Sequence, residues 1–228
     1  MGRQLTVAGD VIIDWIISNG RCNVYPGGVG NVVRGLETLG YSVTLTTIYN
    51  PMLYPLGHVF NLRNSLQDFE HRNVNVRNYD LGIFQRFREG LKPRIFTGAF
   101  DIVVLHEDTC IRDFTALYAD VRDTTPSGRC TVLRMSSSDP WETIMSKIEH
   151  KYAIVTFDSK VRVFFASDGR EEQIDFPPAE VRDTVGAGDT FGVGFVDAYL
   201  RTGEVNRDTI MSGIRLAQEK VGQIGVFV

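Results

Sequence analysis

Hydrophobic and polar positions along this chain switch repeatedly between a period of two and a period near 3.6. Leu5-Thr6-Val7-Ala8 reads as a first strand ending at Gly9-Asp10, and Asn19-Gly20 predicts the turn of a short hairpin carrying Ile16, Ile17 and Val24. From Gly28 to Leu39 the spacing is helical: Val29, Val32, Val33, Leu36 and Leu39 share a face, and Gly40 fits the C′ position. Ser42 to Tyr49 alternates like a strand, and Asp101 to Leu105 is a short β-rich run. Further strands are expected at Cys130–Leu133 and Ala153–Phe157, followed by a ribbon from Val161 to Phe176. Two helices close the pattern. One runs from Asp189 to Leu200 and stops near Gly203; the other runs from Asp208 to Gly222, with Ile210, Ile214, Ala217 and Val221 on one face. The stretch Pro51–Lys92 carries mixed signals and is read as helix plus irregular strand. Alternating strands and helices predict an α/β fold with a largely parallel sheet. No repeat or low-complexity linker divides the chain, so 1–228 is expected to form a single domain.

Charge and cysteine usage narrow the classes of function. A net charge of −4 over 228 residues leaves no electrostatic footprint for nucleic acid. No apolar run reaches the length of a bilayer crossing, and Met1-Gly2-Arg3-Gln4 leads straight into a strand, so neither a membrane span nor a signal peptide is expected. Cys22, Cys110 and Cys130 are odd in number and far apart, which fits a reducing cytoplasm. His58, His71, His106 and His150 lack metal-ligand spacing, so no protein-held metal is expected.

The segment Asp183-Thr184-Val185-Gly186-Ala187-Gly188-Asp189-Thr190-Phe191 concentrates the candidate chemistry. Gly186 and Gly188 let backbone amides converge without side chains in the way. Those amides open a helix, where unpaired N–H groups and the helix dipole favour an anion such as a transferring phosphoryl group. Asp189 beside that anion hole is placed to take a proton from an attacking hydroxyl. Asp183 and Thr184 are expected to shape the loop. Elsewhere, Gly28-Val29-Gly30 does not continue as a dinucleotide fingerprint, and no P-loop string is present.

This string resembles the C-terminal signature of the ribokinase-like carbohydrate kinases, and Gly9-Asp10, Asp14, Gly27-Gly28, Asn31 and Leu39-Gly40 resemble the same family's N-terminal pattern. The resemblance implies a ribokinase-like fold, with a central, mostly parallel sheet and helices on both faces. It implies Asp189 as catalytic base, and Gly186, Ala187 and Gly188 as the holders of the transferring group. Asp10, Asp14, Gly28 and Asn31 would hold sugar hydroxyls, with ATP and Mg2+ as cofactors and Thr156, Asp158 and Thr184 beside the nucleotide. A small-molecule sugar or sugar phosphate is the expected substrate, and the resemblance also admits a homodimer.

Within the family the likeness runs towards the heptose-phosphate kinase half of bifunctional ADP-heptose synthases. It rests on Gln85-Arg86-Phe87 and on Val221-Gly222-Gln223-Ile224-Gly225, and it makes Arg86, with Arg88 and Lys92 nearby, a candidate grip on a substrate phosphate. The chain also departs from the family pattern. Asp158 and Val161 stand where glycines are expected. The Asn-x-x-Glu motif has only Asp139-Pro140-Trp141-Glu142 as a candidate, a segment that reads better as a helix start with Asp139 as N-cap and Pro140 at N1. The short interval from Asp14 to Gly27 predicts a lid that is short or absent. Two alternatives stay open: a chain of this fold that binds a sugar or a protein without transferring phosphate, and a nucleoside kinase.

Overall fold

In this computed structural model, residues 3–48, 62–66, 72–89, 97–106, 113–122 and 127–225 are described. The chain opens with β1 (Gln4–Gly9), the hairpin of β2 (Val11–Ser18) and β3 (Arg21–Gly28), and helix α1 (Val29–Thr38). It continues through β4 (Ser42–Ile48), β5 (Leu62–Leu66), β6 (Arg72–Asn78), β7 (Ile83–Glu89), β8 (Gly98–Leu105), β9 (Phe114–Val121) and β10 (Gly128–Ser136). A short α2 (Trp141–Met145), β11 (Ile148–Thr156), β12 (Lys160–Phe165), β13 (Glu171–Asp175), α3 (Ala187–Thr202) and α4 (Arg207–Val221) complete it.

Nine strands form one sheet in the order β13-β12-β11-β10-β9-β8-β1-β4-β5. The pairs from β5 through to β11 are parallel, and β12 and β13 add antiparallel at one edge. The sheet is buried on both faces, so its inner strands are continuously apolar. In β1, Leu5 and Val7 face one core and Ala8 the other; in β8, Ile102 and Val104 oppose Val103 and Leu105. The first core is closed by α1, α3 and α4, with Val29, Val32, Val33 and Leu36 of α1 all buried. Each such side chain contributes about 1.5–3 kcal/mol when fully buried. The second core carries Ile144 of α2. No helix among the described residues is long and apolar enough to cross a membrane.

The expected strands at 5–8, 42–49, 101–105, 130–133 and 153–157, the expected hairpin, the 161–176 ribbon and the three long helices are all present, most of them longer than the sequence pattern implied. β9 is an additional strand. Its Asp120 interrupts the apolar run, and the charge makes sense only beside Arg134, its register partner on β10.

The lid differs from expectation. A second, four-stranded sheet, ordered β3-β2-β6-β7, stands beside the first. The Asp14–Gly27 interval is short because both residues sit on the hairpin itself; the remaining two strands come from the 72–89 region. There β6 pairs parallel with β2, through Ile13↔Val74 to Ile17↔Asn78, and antiparallel with β7. The described parts of 51–92 are therefore strands where helix plus irregular strand is expected; 51–61, 67–71 and 90–92, Lys92 included, lie outside the described residues. Asn19 and Gly20 both adopt positive φ (52° and 67°), as a type I′ hairpin turn requires. The Asp80 carboxylate accepts from both their amides (2.7 and 2.8 Å) and so ties the two hairpins together.

Candidate active site

β1 has β4 on one side and β8 on the other, so the connections leave it in opposite directions and a crevice opens at the carboxyl ends of the strands. A cavity of about 760 Å³ occupies this position. The end of β9 supplies Arg122, the end of β10 supplies Ser136 to Asp139, and the end of β11 supplies Thr156 to Asp158. The N-terminus of α3 forms one wall with Thr184 to Asp189, and the lid contributes Asp14, Asn75, Arg77, Gln85 and Arg86.

Gly186 is the N-cap of α3 and has φ 72°, a left-handed conformation suited to glycine; a Cβ here would stand 2.9 Å from Asn31 Nδ2. The first-turn amides that follow have no intrahelical acceptor. That of Ala187 donates to Thr184 O at 3.2 Å, which leaves the amides of Gly188 and Asp189 as the first-turn donors best placed for an anion. A Cβ on Gly188 would lie 2.5 Å from Arg134 Nη1 and 2.6 Å from Arg122 Nη2, so two guanidinium groups press on the same turn.

Asp189 is buried, at 3 % exposure. One carboxylate oxygen accepts from Asn31 Nδ2 at 2.8 Å, and the other stands 3.4 Å from Arg122 Nη2. Burial pushes its pKa upward, the nearby Asp120 charge adds to this, and Arg122, the Asn31 hydrogen bond and Arg134 pull against it. Asp120 behaves oppositely. Burial alone would raise its pKa, yet Arg134 and Arg122 hold the carboxyl below the usual range. Arg134 Nη1 donates to both Asp120 oxygens at 3.1 Å, and Arg134 Nη2 donates to Thr156 Oγ1 at 2.7 Å. The Thr156 hydroxyl is thus committed to Arg134 and to Met135 O (3.3 Å) even though the residue lines the cavity.

On the lid side, Asp14 accepts from Asn75 Nδ2 at 2.8 Å. Its pKa is raised to about 6, chiefly by burial, with Asn75 and the Arg77 charge opposing. Gly28, at φ 60°, starts α1 where a Cβ would meet Asp10 O at 2.7 Å. Asn31 retains a buried side-chain oxygen with no protein partner.

Of the site residues expected from sequence, Asp14, Gly28, Asn31, Arg86, Thr156, Asp158, Thr184, Gly186, Ala187, Gly188 and Asp189 line this single cavity. Asp10 does not. It is buried behind Gly28, and its carbonyl accepts from Val29 N at 3.2 Å. Asp139 lines the cavity whereas Glu142 is exposed on α2. Nor is Asp139 an N-cap: that position falls on Pro140, and the Asp139 carboxylate instead accepts from Ser136 N at 2.7 Å. Burial raises the Asp139 pKa, opposed by this hydrogen bond and by the Arg122 charge. Asp158 is exposed at the rim. Sequence reasoning missed Asp120, Arg122, Arg134, Asn75 and Arg77; the available signal was a charge inside an apolar run, as in Leu133-Arg134-Met135.

Residues 142–227, which include the whole Asp183–Phe191 loop, match the sequence model of the pfkB family of carbohydrate kinases. Among solved structures, an Arabidopsis thaliana ribokinase complexed with ribose and ATP superposes with a TM-score of 0.66 at 16 % identity, over 99 % of this chain and 95 % of that one. The fold is ribokinase-like. Further structures of this ribokinase-like fold include a microbiome-derived acarbose kinase (TM-score 0.62, 15 % identity, 100 % of this chain and 95 % of that one). A putative ribokinase II from E. coli in complex with ATP and Mg2+ gives a TM-score of 0.62 at 12 % identity, over 99 % and 94 % of the two chains. No curated protein sequence matches the chain.

Proposed function

We propose that this protein is an ATP-dependent kinase that phosphorylates a hydroxyl of a sugar or sugar phosphate. The observation that carries the reading is Asp189. A buried carboxylate of raised pKa stands in the first turn of α3 and is hydrogen-bonded to Asn31 on the helix that follows the lid hairpin. One side chain thereby touches both the anion-binding helix start and the half of the cavity lined by Asp14, Gly28 and Asn31.

The residues present fit a nucleotide triphosphate. Val161, Phe176, Ala179, Ile214 and Ala217 supply an apolar wall for a flat base, and the start of α3 faces the phosphate side. Asp139 is a buried carboxylate lining the same cavity, suited to hold a magnesium ion or its waters. Bound MgATP would supply the electrophilic γ-phosphoryl group, and the metal would offset the negative charge of the phosphates. Asp189 accepts the proton of the acceptor hydroxyl as its oxygen forms the new P–O bond and the bond to ADP breaks. A carboxylate of raised pKa is the better proton acceptor. The amides of Gly188 and Asp189, with Arg122 and Arg134 beside them, receive the negative charge on the transferring group.

A phosphorylated acceptor, with a heptose phosphate as leading candidate, is supported by Arg86 and Arg77 lining the lid half of the cavity and by the likeness of Gln85-Arg86-Phe87 and Val221–Gly225 to heptose-phosphate kinases. The test is ADP release from MgATP across sugars, sugar phosphates, fructosamines and nucleosides. An active acceptor is then compared with its unphosphorylated parent and assayed with Asp189→Asn. Turnover should fall roughly 10²–10⁴-fold in a folded variant. Wild-type turnover by Asp189→Asn would refute the base assignment, and equal rates with and without the acceptor's phosphate would refute the role of Arg86.

A further inference from the structure

Lys220, near the end of α4, has no exposed surface and does not line the cavity. Its ammonium is surrounded by oxygens of the catalytic loop and the chain just beyond α4: Asp183 O at 3.3 Å, Gln223 O at 3.5 Å and Asp183 Oδ2 at 3.6 Å. The Asp183 carboxylate is itself saturated. Oδ1 accepts from Val185 N at 2.9 Å and from Tyr79 OH at 2.5 Å, and Oδ2 accepts from Gly225 N at 2.9 Å. The backbone runs through the same knot, since the amides of Arg182 and Asp183 both donate to Val221 O. Tyr79 follows β6 in the lid, while Val185 immediately precedes the N-cap of α3. The lid, the loop before α3 and the chain beyond α4 therefore meet at one carboxylate–ammonium pair.

A buried ion pair is a poor device for stability alone, because its desolvation offsets most of the Coulombic gain and apolar residues of like volume serve as well. Here burial pulls the Lys220 pKa down against the opposing effect of Asp183, with Arg77 and Asp14 as the more distant charges. What the pair does achieve is directional. A cation among carbonyl and carboxylate oxygens fixes the orientation of the peptide units that carry them.

We infer that Lys220 is a positioning residue: a built-in cation that holds the Asp183–Gly188 loop in its anion-binding shape and, through Asp183 and Tyr79, couples that shape to the lid. Its effect on phosphoryl transfer rests on the kinase reading; the ordering of the loop does not.

The experiment measures amide hydrogen exchange by mass spectrometry on the unliganded full chain, for wild type, Lys220→Met and Lys220→Ala. Exchange in 182–190 and around Tyr79 should quicken by about tenfold or more in Lys220→Met, while peptides from β10 and β11 stay as in wild type. In Lys220→Ala, methylammonium chloride should restore protection of the loop, where sodium chloride of equal ionic strength does not. Calorimetry adds the functional arm: MgATP should bind about tenfold more weakly to Lys220→Met than to wild type. Wild-type exchange in 182–190 overturns the inference, as does uniform acceleration reaching β10 and β11, which marks a merely structural residue. If Lys220→Met does not fold, Lys220→Gln, which removes the charge but keeps a hydrogen-bond donor, carries the same comparison. Faster local exchange supports the inference and unchanged exchange refutes it. A wild type that binds no MgATP sinks the kinase reading, and the exchange data still decide the role of Lys220.

Discussion

Asp14 offers a test of the site that needs no substrate. It stands on β2, 3 % exposed, with a pKa raised from 3.8 to about 6. Burial dominates the shift. The Asn75 hydrogen bond and the Arg77 charge oppose it, and the charges of Asp189 and Asp183 add to it. Because the folded protein holds this proton more tightly than the unfolded chain, protonation stabilises the fold. The contribution is fully present below a pH of about 3.8 and disappears as the pH rises through about 6. At about 1.4 kcal/mol per unit of pKa, the change across that window is about 3 kcal/mol. Asp14→Asn replaces the carboxyl with a neutral group of the same shape that can still accept from Asn75. Urea unfolding of both proteins from pH 4 to 8 isolates the effect, since the other carboxylates are common to the two. The stability of wild type minus that of Asp14→Asn should fall with rising pH, most steeply up to about pH 6, and then level off. A difference that is flat in pH, or that grows with pH, would refute the burial of an ionisable Asp14.

Arg134→Met leaves Asp120 buried without its principal cation and should lower the unfolding free energy by about 3–5 kcal/mol, whereas Arg134→Met combined with Asp120→Leu should recover most of that loss. A single-variant cost below about 1 kcal/mol in urea titration would show that the pair is not as buried as described. Asp158 is exposed at the rim, so its repulsion of nucleotide phosphates is screened. Asp158→Gly should therefore tighten MgATP binding by only about two- to fivefold at low salt, less at high salt. Unchanged low-salt affinity by calorimetry would place the phosphates away from this turn.

The parts of this molecule that were legible in its sequence are those whose determinants are contiguous. Asp183 to Phe191 carries its own glycines, its own helix start and its own acid, so nine adjacent residues suffice to predict an anion hole with a carboxylate beside it. The lid was not legible, because the interval from Asp14 to Gly27 shows only half of it. The other half pairs β6 to β2 across some sixty positions (Asn75 with Asp14), and nothing local in Arg72 to Asn78 announces that partner. Asp139 misled for a related reason. An acid before Pro140 looks like a helix cap, and only the turn that brings Ser136 N to its carboxylate directs it to the cavity instead.

Asp120 and Arg134 show where more could have been read. Each is a full charge within a run of core residues, which is costly unless a partner is supplied. They lie near the carboxyl ends of successive strands, where parallel pairing sets them side by side. Two opposite charges in that arrangement are each other's nearest compensation, at the edge where ligands bind. A lone charge in one apolar run suggests a misassigned strand. The matched pair is better explained as part of the site, and it is Arg134 that carries the network on, from Asp120 to Thr156 and to the turn at Gly188.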